Sequence, residues 1–299
     1  MKRDFLTLAD FSKDELFATV DRACELKELV HAGKAPKSLQ GKVLGMVFEK
    51  SSTRTMVSFD VGMYHLGGHA VYLNQQMSQL GRGESYADTA RVLSRYVNML
   101  IFRTYSHDAL VELAKHASVP VINGLTDAFH PCQVVADLAT LKQHGKSLKE
   151  MVVSYVGDGN NMTHSWMVAA HMLGFELRVA TPVGYEVDAK IAQDYHGDNI
   201  KITNDPKEAV KDCDAVNTDT WFSMGQEVSD EKREAFKKFQ LNTELLSHAK
   251  SDAIVLHCLP AHRGEEITDE VIDGKQSVVF DEAENRLYAQ MAIMEKLVQ

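Results

Sequence analysis

The stretch VLGMVFEKSSTRTMVSFDVGMYHL, residues 43–66, sets the fold class. Val43–Phe48 is a short apolar run of strand length, Glu49-Lys50-Ser51 breaks it with polar groups, and Thr53–Leu66 follows a helical pattern. A strand that feeds a helix is the repeating unit of a parallel sheet. Outward from it the rhythm continues, with apolar runs at Ala70–Leu73, Met99–Arg103 and Val119–Asn123. These alternate with helical patterns at Glu84–Tyr96, Ala109–His116 and Pro131–His144. Upstream, Ser12 followed by Glu15 reads as a capping box, and Leu16, Val20, Ala23 and Lys27 carry one helical face as far as Gly33.

A second series follows the polar stretch Gly145–Glu150, with strands expected near Val152–Val156, Leu177–Ala180, Ile200–Thr203, Ala215–Thr218, Ala253–His257 and Ser277–Asp281. Asp205-Pro206-Lys207-Glu208 has the cap and first-turn proline of a helix start. The expectation is an α/β protein of two domains, each a parallel sheet flanked by helices. The domains span residues 1–145 and 146–282, and a final helix from about Ala283 to Val298 lies in the segment 283–299.

With 299 residues, 44% hydrophobic and 25% charged, the chain has enough apolar surface for such cores. Its net charge of −10 argues against nucleic acid or an anionic membrane as partner, since both recruit basic surfaces. The N-terminal MKRDFLTLADFSKDEL lacks the apolar centre of a signal peptide, and no apolar run has the length of a membrane span. Four cysteines with no CxxC pair suit free thiols in a reducing compartment, so the expected location is the cytoplasm.

In parallel sheets, ligands bind beyond the carboxyl ends of the strands, where helix N-termini present free N–H groups. At the end of Val43–Phe48, the segment Ser52-Thr53-Arg54-Thr55 offers hydroxyls, a helix N-terminus and a guanidinium, which together suit a phosphate dianion. A hydroxyl cap beside a surface arginine is the plainer reading, and the segment lacks the spacing of a P-loop. Arg103 closes the next strand. His130 and Gln133 bracket a helix start at Pro131, either as donors to a carbonyl or phosphate oxygen or simply as a cap.

Gly157-Asp158-Gly159-Asn160-Asn161 has two glycines of a dinucleotide fingerprint but not the third. Its asparagines suit an amino-acid headgroup or a turn. Asp219-Thr220-Trp221-Phe222-Ser223-Met224-Gly225 offers an anion for an ammonium group, and Cys258 places a thiol at a strand end. The intervals among His130, Cys132, His257, Cys258 and His262 are not those of a zinc site, so no metal is expected. Arg54, Arg103, His130, Asn161, Asp219 and Cys258 each follow an expected strand, and one shared cleft explains all of them.

SSTRT at 51–55, FRT at 102–104, HPCQ at 130–133, GDGNN at 157–161, DTWFSMG at 219–225, HCLPAHRGEE at 257–266 and FDEAENRLYAQ at 280–290 resemble the aspartate/ornithine carbamoyltransferase family along essentially the whole chain. HCLP and SMG resemble its ornithine branch. The resemblance implies a transferase that moves carbamoyl from carbamoyl phosphate to the δ-amino group of L-ornithine, giving L-citrulline and phosphate in arginine metabolism without a cofactor. It implies that Ser52, Thr53, Arg54, Thr55, Arg103, His130, Pro131, Cys132, Gln133 and Arg286 hold carbamoyl phosphate, with Cys258 and Leu259 beside it. Gln79, in QLGRGE, is implied to reach the same ligand from a neighbouring subunit of a homotrimer or an assembly of trimers. Asn161, Asp219, Ser223 and Met224 are implied to hold ornithine, and the final helix to return to the first domain. One departure is Met56, where many members carry Arg.

On this expectation Arg103, His130 and Thr55 stabilise the charge that grows on the carbonyl oxygen, and Cys258 lies against the amine without attacking. Competing readings are a carbamoyltransferase for putrescine or acetylornithine, a phosphate- or amino-acid-binding protein, and a nucleotide-dependent dehydrogenase. Asp219 beside Ser-Met-Gly favours a free α-ammonium over the first, and the missing third glycine disfavours the last.

Overall fold

The computed structural model describes residues 2–74, 79–222 and 229–298. The chain divides into two compact units, Met1–Ala139 with Glu284–Gln299, and Thr140–Ala283.

Unit 1 opens with α1 (Lys13–His31), capped as its sequence requires: Ser12 Oγ accepts from Glu15 N–H at 3.2 Å and Glu15 Oε2 from Ser12 N–H at 2.9 Å. Leu16, Val20, Ala23 and Leu26 turn into the core. Then come β1 (Val43–Phe48), α2 (Thr53–His65), β2 (His69–Asn74), α3 (Tyr86–Leu93), β3 (Met99–Arg103), α4 (His107–His116), β4 (Val121–Leu125) and α5 (Pro131–Gln143). The strands are parallel in the order β2-β1-β3-β4. All of β3 is buried, as a strand covered on both faces must be. β4 starts after Pro120 and not at Val119, because a proline brings the ladder only its carbonyl, here accepting from Leu100 N–H at 2.8 Å.

Unit 2 contains β5 (Val152–Val156), α6 (Asn161–Leu173), β6 (Glu176–Ala180), α7 (Ala189–Asp194), β7 (Ile200–Thr203), α8 (Pro206–Val210), β8 (Ala215–Thr218), α9 (Asp230–Phe236), α10 (Thr243–Leu246), β9 (Ile254–His257), α11 (Asp269–Ile272) and the start of α12 (Val279–Val298). Its strands are also parallel, in the order β7-β6-β5-β8-β9. Asp205 caps α8 through Lys207 N–H at 2.9 Å, with Pro206 at the first helical position.

The strand expected at Ser277–Asp281 is not formed. Ser277 makes a single bridge to Val255, after which α12 starts at Val279, ahead of the expected Ala283. Asp281 and Glu282 fall in its first turn, where carboxylates favour the positive end of the helix dipole. From Glu284 onward α12 packs within unit 1: Arg22 Nε donates to Glu295 at 2.7 Å, and Lys27 Nζ to Asn285 at 3.1 Å.

Each sheet has one place where the strand order reverses, between β1 and β3 in unit 1 and between β5 and β8 in unit 2. There the loops leaving neighbouring strands diverge to opposite faces and open a crevice at the carboxyl ends. Phe48 is paired with Arg103 at the first reversal, and Val156 with Thr218 at the second. The residues immediately beyond these pairs are the candidates for chemistry.

Candidate active site

At the reversal in unit 1, Ser52 caps α2. Its Oγ accepts from Thr55 N–H at 3.2 Å and donates to Thr55 Oγ1 at 3.0 Å. Thr55 is fully buried and also accepts from Arg286 Nη2 at 2.7 Å. Thr53 is exposed and Arg54 partly exposed. Arg103 is buried and donates through Nε to Lys50 O at 3.1 Å and through Nη1 to Gly124 O at 3.4 Å. Both acceptors are neutral carbonyls, so these bonds fix the guanidinium without cancelling its charge.

Lys50, which the strand-end reading passed over, is buried too. Its Nζ lies 4.7 Å from the Tyr105 ring centre and pairs with Asp127 at 3.0 Å. Burial, reinforced by Arg286, Arg103 and Lys50, holds the His130 imidazole well below its usual pKa. His130 is therefore neutral at physiological pH, able to donate from one nitrogen and accept at the other. The next residues turn inward: Pro131 starts α5, Cys132 donates its S–H to Asn123 O at 3.4 Å, and Gln133 Nε2 donates to Asp137 at 2.9 Å. Burial pushes the Cys132 thiol up to about 12, so it stays protonated. Gln79 is exposed in one 3-10 turn, Gln79–Arg82.

At the reversal in unit 2, Asn160 joins the start of α6 to Asp219. Its Oδ1 caps α6 through Met162 N–H at 2.9 Å and accepts from Tyr155 Oη at 3.2 Å, while its Nδ2 donates to Asp219 Oδ2 at 3.0 Å. Asn161 is partly exposed as the first residue of α6. Gly159 lies so close to the backbone of Glu186 and Val187 that a Cβ would come to 2.4 Å from the Glu186 carbonyl, which explains the second glycine without a dinucleotide. Asp219 is buried, and its Oδ1 accepts from Thr220 N–H at 2.8 Å and Cys258 Sγ at 3.2 Å. Three donors on a carboxylate that offers about four acceptor sites leave room for one more. Ser223 and Met224 lie outside the described residues.

Lys232 ties the chain beyond that segment to the GDGNN loop. Its Nζ pairs with Asp158 at 2.8 Å and sits over the rings of Tyr185, Phe222 and Phe236 at 5.1, 5.6 and 5.3 Å. No motif marks such a contact in the sequence.

Cys258 and Leu259 leave β9 beside Asp219, in unit 2. The ligand-type atoms of Asp219, His257 and Cys258 lie within 4.8 Å of one another. Both ring nitrogens of His257 are engaged, however, one by Leu259 N–H at 2.9 Å and the other by Glu266 at 3.0 Å. His262, Glu265 and Glu266 form a second such group, in which Glu265 pairs with Arg233 at 3.0 Å. These donors serve hydrogen bonds and suit a metal poorly.

Residues 3–143 match the aspartate/ornithine carbamoyltransferase carbamoyl-P binding domain, and residues 149–297 the Asp/Orn binding domain of the same family. The ornithine carbamoyltransferase of Wolinella succinogenes is 53% identical over 98% of this chain and 97% of its own length. Among solved structures, the ornithine carbamoyltransferase of Pyrococcus furiosus superposes with a TM-score of 0.94 at 50% identity, covering 98% of this chain and 96% of that one. The anabolic enzyme of Campylobacter jejuni gives 0.92 at 42% identity, covering 99% of each chain. With a model of the same family matched on each unit and a relative 53% identical over 98% of the chain, the chain belongs to the aspartate/ornithine carbamoyltransferase family.

Proposed function

We propose that the protein transfers the carbamoyl group of carbamoyl phosphate to the δ-amino group of L-ornithine, giving L-citrulline and phosphate. The carrying observation is the concentration of buried cations, Lys50, Arg103 and Arg286, with Arg54 nearby in sequence, around the N-terminus of α2 in a chain of net charge −10. A local positive field in an acidic protein suits a small, doubly charged anion.

On this reading Ser52, Thr53, Arg54 and Thr55 hold the phosphate of carbamoyl phosphate, together with Arg103, Arg286 and the turn His130–Gln133. Asn161 and Asp219 hold ornithine, with Ser223 and Met224 completing its pocket. The neutral δ-amine forms a C–N bond to the carbamoyl carbon, and the carbonyl oxygen takes up negative charge. Neutral His130, Arg103 and Thr55 donate to that oxygen, an oxyanion-hole role. Collapse breaks the C–O bond to phosphate, and the proton shed by the amine leaves with it. The arginines that bound the phosphate as a substrate group then stabilise it as a leaving group. Cys258 rests on Asp219 beside the amine and forms no bond to carbon.

Gln79, exposed on its 3-10 turn, completes the carbamoyl phosphate site of a neighbouring subunit in a homotrimer. A cytoplasmic setting agrees with the four free cysteines. No helix among the described residues is long and apolar enough to cross a membrane. Mixing the protein with carbamoyl phosphate and L-ornithine tests the proposal: citrulline and phosphate are expected one for one. Phosphate release that does not depend on ornithine would overturn it.

A further inference from the structure

His257 is fixed at every polar atom of its ring and at its backbone N–H. The N–H donates to Glu282 Oε2 at 2.7 Å, Nδ1 accepts from Leu259 N–H at 2.9 Å, and Nε2 faces Glu266 Oε1 at 3.0 Å. The side chains of His257 and Glu266 are fully buried. A nitrogen that accepts from an N–H carries no proton, so the imidazole is the neutral Nε2–H tautomer, donating to the carboxylate. Glu266 Oε1 also accepts from His262 N–H at 2.5 Å, and His262 Nδ1 lies 2.9 Å from Thr220 Oγ1. The carboxylate therefore links the residue before Cys258 to the residue after Asp219.

The turn that this frame supports is unusual. Leu259 has φ +56°, a left-handed conformation that a branched side chain adopts only at a cost, and that cost persists where the surroundings enforce it. The bond from Leu259 N–H to His257 Nδ1 spans the turn and leaves Cys258 at its apex, with Sγ 3.2 Å from Asp219.

We propose that His257 is a positioning residue for the carbamoyl transfer. It acts as a neutral strut whose Nδ1 holds the left-handed turn at Leu259, so that Cys258 stays on Asp219, while Glu266 anchors the ring from behind. The role in transfer rests on the function proposed above. The geometry of the turn does not.

Two substitutions separate the two nitrogens. His257→Asn puts a carboxamide oxygen where Nδ1 was, which can accept from the N–H two residues on but leaves nothing to reach Glu266. His257→Gln keeps an N–H at the distance of Nε2 and loses the acceptor at Nδ1. The proposal predicts that His257→Asn keeps Cys258 alkylation by iodoacetamide, followed by peptide mass spectrometry, near the parent rate. In His257→Gln the rate changes and kcat falls about tenfold, the loss of one buried hydrogen bond, with the KM for carbamoyl phosphate unchanged.

A merely structural histidine would make activity follow thermal stability in both variants alike. Glutamine performing as well as the parent while asparagine fails would overturn the proposal. Glu266→Gln keeps an oxygen for the neutral ring to donate to, so it retains the parent alkylation rate; a collapse there would mean a cationic His257 and also overturn the strut. Because alkylation needs no substrate, a protein inactive towards ornithine would still report on the turn.

Discussion

Arg286, on the last helix, donates to Thr55 Oγ1 at 2.7 Å, joining the two ends of unit 1 across 231 residues of sequence. Two of the arginines proposed to hold phosphate therefore differ in kind. Arg286 is buried and braces the first turn of α2, whereas Arg54 is partly exposed on that same turn.

Arg54→Ala and Arg286→Ala should both weaken carbamoyl phosphate binding by about 10- to 100-fold, the loss of one charge-assisted contact. Only Arg286→Ala should also lower the thermal midpoint. Calorimetric titration beside a melting curve checks this, and near-normal affinity in Arg54→Ala would remove that residue from the site.

His130 links the site to acid stability. Its folded pKa lies below the unfolded value of about 6.5, so the unfolded chain binds the extra proton first as pH falls. The buried ring costs nothing above that pH. Below it, the ring removes up to about 1.4 kcal/mol of stability per pH unit until the folded state protonates too. His130→Asn should therefore melt with a shallower decline than the parent as pH falls from about 6.5 to about 4.5. Parallel curves would place a proton on His130 in the native protein.

The strand ends bearing Arg54, Arg103 and Asp219 were legible because alternating apolar runs and helix starts are local signals. The arrangement around them was not. Lys50 read as part of a polar break, and its burial depends on Asp127, 77 residues away. Nothing local in GDGNN says that Asn160 is the residue that caps α6 and reaches Asp219. Of the adjacent Glu265 and Glu266, the second is buried, and no local signal in the sequence separates the two. The strand expected at Ser277–Asp281 failed for a related reason: the segment meets β9 at one bridge only, through Ser277, and the acidic pair Asp281 and Glu282 favours a helix start. Arg286 was visible only through family resemblance, since nothing in a helix sequence says which arginine faces another helix.

Subunit exchange tests the assembly. If Gln79 serves a neighbouring subunit, inactive Arg103→Ala mixed with inactive Gln79→Ala should regain activity, because some interfaces then combine two intact halves. Exchange verified by mass spectrometry without recovery would argue that each site is built from one chain.

Asp219→Asn should raise the ornithine requirement by about 10- to 100-fold through loss of the charged partner of its α-ammonium, and change the carbamoyl phosphate requirement little. It should also lower the thermal midpoint, because the new amide N–H group faces Asn160, Thr220 or Cys258, all of which donate to Asp219. Equal losses for both substrates would make Asp219 a purely structural residue.

The proposed substrate pair, carbamoyl phosphate and ornithine, is separated from its competitors by comparing acceptor amines. Carbamoyl phosphate is offered with ornithine, putrescine, acetylornithine and aspartate in turn, and kcat/KM for each ureido product is determined. Putrescine lacks the α-carboxylate, acetylornithine has its α-amine capped, and aspartate has no δ-amine. Ornithine is predicted to exceed each of the others by at least about 100-fold, the discrimination a polar pocket exerts when its charged contacts go unmet. Equal or faster turnover of putrescine or acetylornithine would rule out ornithine as the acceptor that the site is built for.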